Sequence, residues 1–286
     1  MTHFPVQWQK GSLYSLDSSA VPAGYRLGDG VFETVRTYFG KPFRLADHIS
    51  RLLAGAESIG FHDLPEQGAV MNKVSAVLEE WKPGKPEDEY VLRPTFFSEG
   101  QGWGFMVPVE TWRPPIQFMS GKGITVGISA HRHPGSYMVP PSGRTQVKWL
   151  SRGQLSHALR VAREKGWGEA LLLNHEGEVV EGTRSNLFVL TEDTVIAPGA
   201  LSSAFPGITR EVVIELAERR GIAVLDRPAS LQELISSSEI FLTSTLLGVA
   251  PVDSVQIGED TYAKPAGKVS GLIVSDFARQ VSRECH

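Results

Sequence analysis

The chain has 286 residues, 41% of them hydrophobic and 21% charged, the balance of a folded globule of one large or two smaller domains and not of a disordered segment. A net charge of −4 supplies no basic field, so neither nucleic acid nor an anionic membrane is an expected partner. A single cysteine, Cys285, excludes an internal disulfide framework or a cysteine metal site, and with no signal peptide or membrane span in view the expected compartment is the cytoplasm.

In chain order, residues 31–38 (VFETVRTY) alternate β-branched and aromatic side chains, which predicts a half-buried strand. After Asp47, the residues Ile49, Leu52, Leu53 and Ala56 recur at helical spacing until Gly60. A second helix is predicted over Gln67–Trp81, stopped by Pro83-Gly84. Residues 90–97 read as a strand in which Pro94 implies an edge or a bulge. Glycines and prolines then accumulate from Gly100 to Gly123, which divides the chain into a domain at 1–115, a linker at 116–122 and a second domain at 123–286.

The second part alternates. Strands are predicted at 124–130, Glu169–Leu173, 178–180, 186–190 and 239–243, and helices at 152–165, 210–220 and 267–281. Ser230 and Glu233 form a capping box ahead of a further helix. Helices and short strands in no strict βαβ order give the fold class α+β.

Four local features carry chemistry. Lys148 lies in Gln-Val-Lys-Trp-Leu; large apolar neighbours could desolvate its amine and free it to attack a carbonyl, or the stem packs and the ammonium reaches water. Phe205-Pro206-Gly207-Ile208-Thr209-Arg210 opens a helix, and its free N–H groups suit a phosphate, unless Thr209 is an ordinary cap. Thr243-Ser244-Thr245 places three hydroxyls at a strand end, where they could grip the same phosphate. Glu181 begins a polar turn, Glu-Gly-Thr-Arg-Ser-Asn, from which a carboxylate could hold a cationic ring nitrogen or simply meet solvent. An imine-forming amine, an anion clamp and a facing acid are the set that pyridoxal phosphate requires.

With those features in place the sequence resembles the fold-type IV pyridoxal-phosphate enzymes, the class IV aminotransferases. Five blocks carry the resemblance in family order: GDGVFETVRTYFGKPFRLADHISRL, the lysine, EALLLNHEGEVVEGTRSNLFVL, SSAFPGITR and EIFLTSTLLGVAPV. It implies a D-amino-acid-aminotransferase-like fold, with a small N-terminal and a larger C-terminal α/β domain and the cofactor between them. It also implies a homodimer and a ping-pong exchange between amino acids and 2-keto acids. Residue by residue it implies that Lys148 binds the cofactor and moves the substrate proton, that Glu181 faces the ring nitrogen, and that Arg51 binds the phosphate. Ile208, Thr209, Ser244 and Thr245 complete the phosphate cradle, and Phe205 packs on the ring where leucine is usual. Without the resemblance, Arg51 reads as a surface residue of a helical ion pair.

Arg93-Pro94 and the Ser202–Gly207 run look most like the branched-chain aminotransferases. A D-amino acid aminotransferase and a lyase of the aminodeoxychorismate type are the alternatives. The substrate contacts implied are Phe32, Arg93, Thr245 and Leu246. Two departures bear on them: Val91 replaces an expected tyrosine, and Lys-Trp-Leu-Ser-Arg replaces a glycine-and-tyrosine-rich run. His131-Arg132-His133 reads as a polar loop and not a metal site.

Overall fold

The computed structural model describes residues 22–81, 88–114, 123–134, 146–192, 194–264 and 267–286. The expected linker at 116–122 and the Pro83-Gly84 stop lie outside the described residues. The first part contains strands β1 (Gly30–Phe32), β2 (Val35–Tyr38), β3 (Lys41–Pro42), β4 (Tyr90–Leu92), β5 (Thr95–Glu99), β6 (Gly102–Met106) and β7 (Val109–Thr111). Each of the two long strands expected here is therefore broken in two. Their pairing nevertheless keeps one register, from Gly30↔Phe97 through Phe32↔Thr95 and on to Val35↔Leu92 and Arg36↔Val91. A single antiparallel ribbon thus passes from the sheet β1-β5-β6 into the sheet β3-β2-β4-β7.

The crossing falls at Glu33-Thr34, opposite Arg93-Pro94. Pro94 has no N–H to give the ladder, although the Glu33 N–H still reaches its carbonyl at 2.9 Å. The helices Leu45–Ser58 and Gln67–Trp81 cover the ribbon. Ile49, Leu52, Ala56, Val70, Val74 and Leu78, spaced three or four apart, bury themselves with Val35, Leu92 and Phe96.

The second part holds β8 (Ile124–Arg132), β9 (Glu169–Leu173), β10 (Val179–Gly182), β11 (Asn186–Thr191), β12 (Thr194–Ile196), β13 (Ala223–Leu225), β14 (Glu239–Ser244), β15 (Gly248–Ile257) and β16 (Asp260–Ala263). Their order is β10-β9-β8-β15-β14-β11-β12-β13, with β16 on β15. β10 also pairs with β11, at Glu181↔Asn186, so the sheet closes on itself. Side chains of alternate strand residues take opposite sides. Leu187 and Val189 pack with Val126, Leu171, Leu242 and Ala250 in one cluster. Phe188 and Phe241, stacked at 4.8 Å, pack instead against the helices Ile208–Arg219 and Lys268–Cys285.

Several boundaries move. β10 extends past the expected end, so Glu181 belongs to the ladder and not to a turn. β8 runs on through His131 and Arg132, which corrects the polar-loop reading, and His133 follows it as a buried residue. β15 contains Pro251, a residue that disguises a strand in sequence. The capping box at Ser230 and Glu233 is present ahead of the helix Leu231–Ser236. Among the described residues no helix is long and apolar enough to cross a membrane.

Phe188 is fully buried on the helix side of the sheet. Phe188→Ala should cost about 3–5 kcal/mol, seen as a lower urea midpoint with an unchanged denaturant slope.

Candidate active site

A cavity of about 470 Å³ opens between the ribbon and the closed sheet, a size suited to a cofactor-like ligand. Phe32, Arg51, Arg93, Lys148, Glu181, Phe205, Ile208, Thr209, Ser244, Thr245 and Leu246 all line it. These residues come from both parts of the chain and from segments far apart in sequence.

Lys148 is held from both sides. Val147 is buried in the N-terminal core, and Trp149 forms a bridge with Val31. Phe32 N–H donates to the Lys148 carbonyl at 3.0 Å, and Leu150 N–H to that of Gly30 at 2.9 Å. The amine stands 4.7 Å from the Phe205 ring centre and 5.7 Å from that of Phe32. Loss of water pulls its pKa down from 10.5 to about 7. Arg152 and Arg51 add to the fall, while Glu33 and Glu181 oppose it. Lys148 is half-buried, and its amine faces the cavity and the two rings.

Arg51 is likewise no surface residue. Its Nε donates to Glu33 Oε1 at 2.7 Å and its Nη2 to Glu33 Oε2 at 2.8 Å, while Nη1 donates to the Pro206 carbonyl. His48 Nδ1 meets Glu33 Oε2 at 2.9 Å. Burial works to raise the Glu33 carboxyl, but the Arg51 charge and the hydrogen bonds from His48 and Arg51 outweigh it and hold the group ionised well below the usual carboxylate range. Burial lowers His48, against the pull of Glu33. The sequence reading passed over Glu33, yet a signal was there: alternation puts it on the same face as the buried Val31 and Val35.

Glu181 is buried and receives donors from several elements. His133 Nε2 lies 2.8 Å from Oε1; Asn186 Nδ2 and the Phe205 N–H reach Oε2 at 3.1 and 3.0 Å. Asn186 Nδ2 also donates to the Phe205 carbonyl at 2.7 Å. A Cβ at Gly207 would collide with Asn186 Oδ1, so this approach requires glycine. His133 was missed because its segment read as a loop.

Gly207 caps the helix Ile208–Arg219 without a side-chain hydrogen bond. Glu211 N–H donates to the Gly207 carbonyl at 3.0 Å, so the earlier N–H groups of the first turn are available to a ligand. Thr243 Oγ1, also on the wall, is buried with no hydrogen-bond partner among the described residues. Arg93 donates to Glu110. Arg152 lines the cavity too; its Nη2 donates to the Thr183 carbonyl at 2.9 Å and its Cζ lies 5.6 Å from the Phe32 ring centre. Among the described residues no three His, Cys, Asp or Glu side chains gather as a metal site.

A near-neutral amine, a fixed acid, a paired guanidinium and an open helix start serve carbonyl chemistry on a phosphorylated heterocycle. Residues 30–255 match the family Amino-transferase class IV. A putative branched-chain-amino-acid aminotransferase of Methanocaldococcus jannaschii is 32% identical over 263 residues, 89% of this chain and 88% of that protein. The branched-chain aminotransferase of Thermoproteus uzoniensis, solved with norvaline, superposes with a TM-score of 0.78 at 25% identity over 93% of this chain and 91% of its own. An aminotransferase from Brucella abortus, solved with its cofactor PLP bound, shares the fold with a TM-score of 0.77 at 22% identity over 96% of each chain. The chain belongs to the class IV aminotransferases, pyridoxal-phosphate-dependent transaminases of fold type IV, and within them it is branched-chain-aminotransferase-like.

Proposed function

We propose that this cavity moves an amino group between an amino acid with an apolar side chain and a 2-keto acid, with Lys148 as the covalent anchor and proton carrier. One observation carries the reading: the Lys148 amine sits against the Phe205 and Phe32 rings with its pKa drawn to about 7. The residues fit the cofactor. Arg51, the N–H groups at Ile208 and Thr209, Ser244 and Thr245 would hold its phosphate. The unpartnered Thr243 hydroxyl leaves one more donor on the same wall. Phe205 would pack on the ring, and Glu181, its orientation set by His133 and Asn186, would hold the ring nitrogen.

Pyridoxal phosphate, when bound, supplies an aldehyde that captures amines and a ring that draws electrons from the adjoining carbon. Lys148 Nζ, its basicity lowered by burial, can take the proton from the substrate α-carbon and return one in the second half of the cycle. Glu33 and His48 keep Arg51 in a single orientation. Phe32, Leu155, Leu246 and Leu247 give the substrate side chain an apolar wall. The division at 116–122, a homodimeric working unit and a cytoplasmic setting belong to the same proposal, supported by composition and by the family resemblance.

Borohydride reduction of the holoenzyme should leave a phosphopyridoxyl mass on the peptide containing Lys148, and Lys148→Ala should show neither that mass nor measurable turnover. Turnover should also require a keto acid acceptor. Release of pyruvate at full rate with no acceptor present would identify a lyase instead, and a donor panel answering only to D-amino acids would identify the D-specific alternative.

Lys148 also sets a pH signature in the apoprotein. Its pKa is 10.5 in an exposed setting and about 7 here, so the unfolded chain binds the extra proton between those values and stability rises with pH across that window. Lys148→Met should be more stable than wild type below pH 7, by on the order of a few kcal/mol. Urea titrations should show that gap closing toward pH 10.5.

A further inference from the structure

Contacts around the amine form a file. Arg51 Cζ lies 4.6 Å from the Phe205 ring centre, Lys148 Nζ stands near both rings, and Arg152 Cζ lies 5.6 Å from Phe32. Two guanidiniums therefore flank one amine, and they differ in charge balance. Arg51 is paired twice to Glu33. Arg152 makes one directed bond, to the Thr183 carbonyl, and no ion pair with any described residue.

The acids on that wall are occupied. Glu169 accepts from the Thr183 N–H and hydroxyl, the Ser185 hydroxyl and the Ala170 N–H, and Glu181 is held as described above. Arg93 is paired with Glu110, while Arg184, also lining the cavity, adds like charge. Burial and the like charges of Arg184 and Arg93 disfavour the Arg152 guanidinium, Glu181 and Glu169 favour it only at a distance, and a directly paired anion would have to come from outside. The phosphate end of the cavity already has Arg51 and the helix start.

Resting on the transaminase reading, we propose that Arg152 is the specificity-determining residue that receives the substrate carboxylate, in place of Arg93, and so selects amino acids over simple amines. Its setting is pre-formed: Glu169 fixes Thr183, and the Thr183 carbonyl fixes the guanidinium. The arginine stands in the segment after Lys148 where the sequence departs from the branched-chain group.

The test compares holoenzymes of wild type, Arg152→Gln, Arg152→Lys and Arg93→Gln by two readouts. Calorimetry gives the affinity for 4-methylvalerate, a carboxylate with no group to transfer. Half-reaction kinetics compare leucine with 3-methylbutylamine, the same skeleton without its carboxylate. Arg152→Gln should weaken 4-methylvalerate binding and raise the half-saturation for leucine by at least about 10-fold, with a clearly smaller effect on the amine, which shares only the change at Lys148. Arg152→Lys should recover part of the loss. Wild-type carboxylate affinity in Arg152→Gln, an equal loss for the amine, or transfer of the whole effect to Arg93→Gln would overturn the assignment. Failure of wild type to accept any amino acid would instead refute the transaminase reading, and the calorimetric arm still decides the role of Arg152 without turnover.

Discussion

The carboxylate of Glu181 is the point on which the site is assembled. A buried acid is tolerable only with donors around it, and here they come from the end of β8, from β11 and from the loop before the helix Ile208–Arg219. The same residue pairs with Asn186 where the sheet closes. Asn186 in turn binds the Phe205 carbonyl and stands against Gly207. The seam of the sheet, the acid and the helix start are therefore one unit, and a shift in any of them displaces the other two.

Glu33 plays the matching part in the first half. It sits where the ribbon passes from one sheet to the other, and it turns inward to meet Arg51 and His48. Lys148 stands under the influence of both acids and both flanking arginines. Burial is the largest influence, the arginines add to it and the acids oppose it, and the amine falls to about 7. A lysine that kept its ordinary basicity would be too fully protonated to exchange protons near neutrality.

Periodic elements were legible in the sequence. Gln67–Trp81 and Glu169–Leu173 have the bounds that spacing alone predicts. The ribbon's change of sheet was not, because the effect of Pro94 depends on what stands across from it. At the site, Lys148 and Glu181 were legible as members of a set and ambiguous as single residues. Arg51 was misread in isolation because its partner lies 18 positions earlier, in another element. His133 and Arg152 needed coordinates: neither stands in a local pattern that says which cavity or acid it will face.

The bond from Arg51 to the Pro206 carbonyl joins the ribbon half to the helix-start loop. It works as a fastening there, since parting the halves at that edge would unhook the guanidinium.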